Sequence, residues 1–283
     1  MGVEFELGSK VSGFRVVLTR VRKLSESTRD FRFQRDDGEA VVYEPGQFFR
    51  FVFEDENGEF ERSYSLCNFS DEQRPNDLDL VISTVTDGRA SKLLFSTEVG
   101  LEARVTGPFG RLVLPKKLPM RLFLVATSVG VAPYMPMLRQ LANEAMKQGS
   151  LEVHLLYGIR DYREFIYGDQ LLQWEAEHLG FHLHLSVSQC EVDTSKARSQ
   201  NKGYVQAMLM DLKPNPETDH VMLCGNPKMI DEAYPLLKQI GFGVKQVVRE
   251  KYVFAKDKKA VTTSMSDEQR ALIAEKMKKY KKP

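Results

Sequence analysis

The run Arg62-Ser63-Tyr64-Ser65-Leu66 sets a cation, an aromatic ring and two hydroxyls along one short segment rich in strand formers. Side chains of an extended segment alternate between faces, so Arg62 and Tyr64 project to one side while Ser63 and Ser65 project to the other. A backbone laid along a planar cofactor in this way can stack a ring on it, hold its phosphate and touch its edge. The plainer reading of the same residues is an ordinary strand with a core tyrosine, and the pattern alone names no cofactor.

Upstream, Pro45-Gly46-Gln47 reads as a turn into the aromatic strand Phe48–Phe53. Downstream, the strand Leu78–Ser83 leads to Thr86-Asp87-Gly88-Arg89-Ala90-Ser91, a turn that opens a short helix over Ala90–Thr97. Small residues ahead of a helix leave its first amides open, where a phosphate is well held.

From this centre the pattern extends as strands: Phe14–Val21, Thr28–Phe33, Ser63–Asn68 and Glu102–Thr106 join the two already named. Asp36-Asp37-Gly38 and Glu56-Asn57-Gly58 are hairpin-like breaks. Six strands with one helix predict a closed or nearly closed antiparallel β-barrel.

Pro108-Phe109-Gly110 and the Pro/Lys-rich run Leu114–Pro119 mark a change of architecture. Apolar strands then alternate with helices: strands Arg121–Ala126, Leu151–Tyr157, Phe181–Val187, His220–Cys224 and Val244–Arg249; helices Pro133–Lys147, Gly168–Leu179, Gly203–Leu212 and Pro227–Ile240. This order predicts a Rossmann-like α/β domain with a parallel sheet covered on both faces. The expected division is 1–116, 117–254 and a C-terminal extension, 255–283.

A chain of 283 residues, 42% hydrophobic, buries a large core rather than staying disordered. No stretch approaches about 18 uninterrupted apolar residues, and the first residues lack the order of a secretory signal, so a cytoplasmic protein without a transmembrane segment is expected. Cys67, Cys190 and Cys224 lie far apart, which suits a reducing compartment and supplies no iron–sulfur cluster. His182 and His184 alternate along one strand, with no carboxylate or cysteine set at ligand spacing, so no metal site is expected.

The net charge of +1 favours no nucleic-acid partner. Residues 249–283 hold eleven Lys or Arg and five Asp or Glu, a net of +6 that leaves −5 on the rest. In this tail Ser266 suits a helix cap, and Ile273, Met277 and Tyr280 fall on one helical face. A solvated helix docked weakly on the body is the plain reading; a docking surface for a partner or an acidic membrane, and a frayed tail, are the others.

Three motifs in order, Arg62-Ser63-Tyr64-Ser65, Gly88-Arg89-Ala90-Ser91 and Cys224-Gly225-Asn226-Pro227-Lys228-Met229, resemble the ferredoxin–NADP reductase family of flavoproteins across roughly residues 10–254. The resemblance implies FAD held by the barrel, NADP or NAD held by the α/β domain, and hydride transfer between them. It further implies a separate ferredoxin or flavodoxin as one-electron carrier. The competing readings of this chain are an NAD(P)H:flavin or quinone reductase on the same fold, or a flavoprotein whose altered Ser128-Val129 turn no longer turns over nucleotide and which serves as an interaction module through its basic tail.

By the same resemblance Arg62 contacts the FAD pyrophosphate, Tyr64 stacks on the isoalloxazine, Ser65 bonds near its N5, and Ser63 belongs to the same cofactor-binding run. Gly88, Ser91 and the amides near Lys92 form the second phosphate segment. Thr127 and Gly130 lie in the first strand-to-helix turn, where the family's Gly-Thr-Gly is replaced by Ser128-Val129-Gly130. Arg160 and Ser188 follow the next strands. Gln189 stands where NADP-using relatives commonly carry arginine, which leaves Arg198 and Lys196 as the nearby cations in sequence. Cys224 and Gly225 sit on the nicotinamide side, Tyr252 covers the flavin and Glu250 relays a proton. A buried structural cysteine and a plain terminal strand are the alternative readings of these last positions.

Overall fold

The computed structural model describes residues 13–69, 74–144 and 151–253, with the side chains of 143 and 144 excepted. The described residues belong to one compact unit that ends at Val253. The expected helix Ser266–Tyr280 and the last residues of the helix expected to reach Lys147 lie outside them.

Six strands make the first layer: β1 (Phe14–Lys23), β2 (Thr28–Arg35), β3 (Phe48–Asp55), β4 (Gly58–Ser65), β5 (Asp77–Ser83) and β6 (Glu102–Phe109), with α1 (Arg89–Ser96) between the last two. Their order is β4-β3-β6-β1-β2-β5, antiparallel throughout, as the strand pattern predicts. Phe49, Phe51 and Phe53 alternate into a core with Phe31, Phe33, Leu78 and Leu80. The sheet curls until β4 and β5 face one another, and Cys67 N–H donates to Asp79 O across that seam at 2.9 Å.

One strand differs from expectation. Pairing begins at Gly58, opposite Asp55, because the Glu56-Asn57 turn returns the chain at once, and Asp55 Oδ1 accepts the Asn57 amide at 2.8 Å. Strand β4 is therefore Gly58–Ser65 rather than Ser63–Asn68.

Beyond Phe109 comes a six-stranded parallel sheet: β7 (Arg121–Thr127), β8 (Glu152–Ile159), β9 (Phe181–Val187), β10 (Ser199–Lys202), β11 (Asp219–Gly225) and β12 (Val247–Lys251). Helices α2 (Tyr134–Glu144), α3 (Gly168–Glu177), α4 (Val205–Asp211) and α5 (Pro227–Gln239) connect them. Residues 122–126 of β7 are buried without interruption, as a strand covered on both faces requires. The order β10-β9-β8-β7-β11-β12 reverses between β7 and β11, which opens a crevice at their carboxyl ends. The edge strand β10 was not expected: Ser199-Gln200-Asn201-Lys202 is polar and pairs on one side only. The last strand starts at Val247, because a 3-10 turn takes Val244–Gln246. Among the described residues no helix is long and apolar enough to cross a membrane.

The two layers share a core. Cys67, Val81 and Leu112 pack with Leu124, Met137 and Tyr167. Glu164 accepts hydrogen bonds from Ser25 and Ser27 at 3.2 and 2.7 Å, which ties the β1–β2 turn to the α/β layer. Gly46 lies so close to Leu112 that a Cβ would overlap its carbonyl oxygen at 1.8 Å.

Under the barrel seam, buried Arg32 grips Asp79 through two hydrogen bonds of 2.6 and 2.7 Å and reaches Asp77 at 3.3 Å. Breaking a buried pair costs about 3–5 kcal/mol, and loss of Asp79 leaves buried Arg32 only the longer contact to Asp77. Asp79→Ala is expected to lose that much in urea unfolding; a loss below about 1 kcal/mol would show the pair to be structurally idle.

Candidate active site

Strand β12 pairs with β11 so that Glu250 lies opposite Cys224 and Lys251 opposite Gly225, and Tyr252 N–H closes the ladder on Gly225 O at 2.8 Å. This register carries Glu250 and Tyr252 to Ser65, at the end of β4. The Tyr252 hydroxyl donates to Ser65 Oγ at 2.9 Å, and Ser65 Oγ donates to Glu250 Oε1 at 2.9 Å. The Cys224 thiol, fully buried, meets the same phenol. The four residues expected to be catalytic thus form one cluster, made of three strands from both layers.

Burial governs the protonation of this cluster. It raises the Glu250 carboxyl above its ordinary value of 4.5, partly offset by the Ser65 hydrogen bond. It also raises the Cys224 thiol and the Tyr252 phenol well above their ordinary ranges, with the Glu250 charge adding to both. Cys224 is therefore a neutral thiol and a poor nucleophile.

On β4, Tyr64 is half-buried, its ring edge-on to Phe51 at 5.8 Å. The alternation continues upstream: Phe60 is buried, Arg62 half-exposed and Ser63 exposed. Arg89 Nε donates to Asp55 Oδ2 at 2.7 Å and Arg89 Nη2 to Gly58 O at 2.7 Å, which ties the start of α1 to the β3–β4 hairpin. The Arg62 and Arg89 guanidiniums consequently lie over the same Phe60 ring, at 5.3 and 4.4 Å. Beside them α1 begins at Gly88 with no side-chain cap, so its first amides have no acceptor from a capping side chain. Ser91 Oγ accepts the Val85 amide at 2.9 Å and keeps its own hydroxyl hydrogen to donate; the Lys92 amide is spent on Gly88 O at 3.0 Å, and the Lys92 side chain is exposed. Guanidinium and amide donors gathered around one ring fit the phosphates of a dinucleotide such as FAD.

The crevice between β7 and β11 is as close-fitting. A Cβ on Gly130 would stand 2.5 Å from Cys224 O, and one on Gly225, whose φ is +121°, would stand 2.5 Å from Thr127 Oγ1. Thr127 Oγ1 accepts the Asn226 amide at 2.9 Å. Only glycine permits this approach of the two turns. Ser128 takes φ +50°, a conformation that favours the glycine it replaces, and is exposed, while Val129 is buried in the core.

Arg160 and Ser188 follow adjacent strand ends, joined by Ser188 N–H to Ile159 O at 3.1 Å and Gln189 N–H to Arg160 O at 2.8 Å. Arg198 is not brought to them. Parallel pairing of Ser199 with His184 and of Lys202 with Val187 puts Arg198 at the opposite end of β10, roughly 16 Å from the level of Ser188 at ~3.3 Å per residue. The cation at the Ser188 end is Lys202, which pairs with Glu191. Beside it Tyr204, 68% exposed, stands at the start of α4; its place in a polar run gave no sequence signal.

Comparisons with known proteins agree with this division. Residues 15–114 match the family described as oxidoreductase FAD-binding domain, and residues 124–234 match oxidoreductase NAD-binding domain. The chain is 30% identical over 249 residues to ferredoxin–NADP reductase B of Sorangium cellulosum, covering 84% of this chain and 97% of that protein. It is 26% identical over 242 residues to the toluate 1,2-dioxygenase electron transfer component of Pseudomonas putida, covering 85% and 68%. Among solved structures, a ferredoxin NADP+ reductase from Neisseria gonorrhoeae with bound FAD and NADP superposes with a TM-score of 0.70 at 19% identity, covering 84% of this chain and 98% of that one. The chain belongs to the ferredoxin–NADP reductase family, as an FAD-dependent oxidoreductase that exchanges electrons between NAD(P)H and its flavin.

The glycine contacts carry a direct test. Gly130→Ala must push the β7 turn off β11, and overpacking of this kind costs about 1–3 kcal/mol. Thermal unfolding of the FAD-loaded variant is expected to show that loss; an unchanged Tm would contradict the packing described.

Proposed function

We propose that the protein reduces a separate one-electron carrier of the ferredoxin or flavodoxin kind at the expense of NADH or NADPH. The observation that carries this reading is the Cys224–Tyr252–Ser65–Glu250 chain, which joins the strand end of the NAD-binding layer to the flavin-binding strand. We assign residues 1–116 to FAD, 117–254 to the nucleotide and 255–283 to a separate basic extension. Three free cysteines suit a cytoplasmic setting.

In this reading Arg62, with the open amides at the start of α1 up to Ser91, holds the FAD phosphates, and Gly88 allows the backbone to approach; the Lys92 amide, bonded to Gly88 O at 3.0 Å, takes no part. Tyr64 flanks the isoalloxazine on one side and Tyr252 on the other, while Ser63 and Ser65 line its edge. Thr127, Gly130 and Gly225 admit the nucleotide backbone, Arg160 and Ser188 hold its far end, and buried Cys224 borders the nicotinamide. When bound, flavin supplies two-electron acceptance from the nucleotide and one-electron release. Holding donor and acceptor in one orientation is the protein's main contribution. With flavin bound, Ser65 would hand its proton to ionised Glu250 while taking one from the edge of the reduced cofactor; below its raised pKa Glu250 is already protonated and the path is closed.

Stopped-flow mixing of the FAD-loaded protein with NADH and NADPH tests the reading: bleaching of the flavin absorbance by at least one nucleotide, followed by reduction of an added ferredoxin or flavodoxin, is expected. No bleaching by either would overturn it. Turnover is expected to fall as pH drops through the Glu250 pKa, above 4.5. Glu250→Gln is expected to remove that acid limb and slow turnover by about 100-fold; a variant that keeps the limb would remove Glu250 from the relay.

Coenzyme choice turns on Gln189, which is neutral and exposed beside the Glu191–Lys202 pair. A charge-assisted bond to phosphate contributes about 1.5–3 kcal/mol. Gln189→Arg is therefore expected to shift the kcat/KM ratio toward NADPH by about tenfold or more; an unchanged ratio would clear this position of any part in selectivity.

A further inference from the structure

The opposite end of the parallel sheet carries a second constellation. Glu152 and His154 are two apart on β8, so they share a face, and His154 pairs directly with His182 on β9. One ligand atom from each of the three lies within 4.8 Å of the others. Sequence spacing conceals the set, because Glu152 and His182 are separated by the whole β8–α3–β9 crossover.

The hydrogen bonds behind these residues give the set its direction. His154 Nδ1 meets His184 Nε2 at 3.0 Å, and His184 Nδ1 meets Ser199 Oγ at 2.8 Å. Running this chain toward Ser199 as acceptor puts a proton on Nδ1 of each imidazole and leaves Nε2 of His154 as a bare lone pair. That atom is buried without a hydrogen-bond partner among the described residues. It stands 3.5 Å from Glu152 Oε2, longer than an ordinary hydrogen bond, and a lone pair facing a carboxylate at that distance leaves room for a cation that both could bind.

We propose that Glu152, His154 and His182 bind one divalent transition-metal ion, zinc being the best fit. Imidazole nitrogen and carboxylate oxygen are zinc ligands with bonds of about 2.0–2.2 Å, which makes the edge of a tetrahedron about 3.4 Å. The His154–Glu152 separation already has this length. The remaining edges close by rotation of the exposed Glu152 and half-buried His182 side chains, and water completes the coordination from the solvent side. Outer partners of this kind fix the ring orientation and raise ligand basicity, and His184 with Ser199 occupies that place. Among the described residues Arg121, the cross-strand neighbour of Glu152 on β7, is held by Asp219 at 2.6 and 3.1 Å rather than by Glu152. The ion would staple the starts of β8 and β9, a whole strand length from the crevice that takes the nucleotide, and the proposal is independent of which carrier the protein serves.

The test uses the full-length, FAD-loaded chain after dialysis against EDTA and then metal-free buffer. Calorimetric titration with zinc chloride is expected to show one ion per chain and a rise in Tm. Glu152→Gln and His182→Gln, both at accessible positions, are each expected to weaken zinc by tenfold or more while leaving flavin reduction by nucleotide unchanged. Ser199→Ala is expected to weaken zinc less. No stoichiometric binding, or binding that both ligand variants retain at full strength, would overturn the site and leave only a proton between His154 and Glu152.

Discussion

The pairing of Cys224 with Glu250 is the constraint on which the site depends. Parallel register fixes the last strand to within one residue, and a slip of one would turn Glu250 away from Ser65 and send every following side chain to the other face. The strand is short, and its order comes from backbone bonds to β11 together with the hydroxyl chain across the layers. The proposed relay and the adhesion between the layers therefore use the same atoms. Glu164, on Ser25 and Ser27, and the shared core around Leu112 and Met137 supply the rest of the adhesion away from the site.

Glycine and arginine divide the two halves of the site between them. On the α/β side, backbone meets backbone at Gly130 and Gly225, and specificity of shape comes from the absence of side chains. On the barrel side, the Arg62 and Arg89 guanidiniums share the Phe60 ring beside the open start of α1, and Asp55 accepts from Arg89. Ser128 shows that the turn tolerates a residue other than glycine where it faces solvent, at the cost of a left-handed backbone. Gly130, facing Cys224 O, has no such latitude.

Much of this was legible in the sequence because it is local. A turn followed by aromatic residues gave the Phe48–Phe53 strand, continuous apolar runs gave the buried strands β7 and β11, and the first and third motifs, with the last strand that the resemblance added, pointed to residues that the fold does bring together at Ser65, Cys224, Glu250 and Tyr252. What stayed hidden depends on pairing between distant segments. The polar edge strand Ser199–Lys202 has no hydrophobic signature, and without it Arg198 looks close to Ser188 in sequence although register carries it to the far end. Glu152 joins His154 and His182 only after two strands align. The start of β4 at Gly58 followed from turn geometry that composition did not resolve.

The proposed redox chemistry rests on one flavin held between Tyr64 of the barrel and Tyr252, which follows the last strand. The most direct measurement is the flavin content of the purified protein after gel filtration, by absorbance and by chromatography of the released cofactor. The account predicts about one FAD per chain, by the match to an FAD-binding domain over residues 15–114. A protein that comes through flavin-free and takes up no FAD on incubation would contradict it.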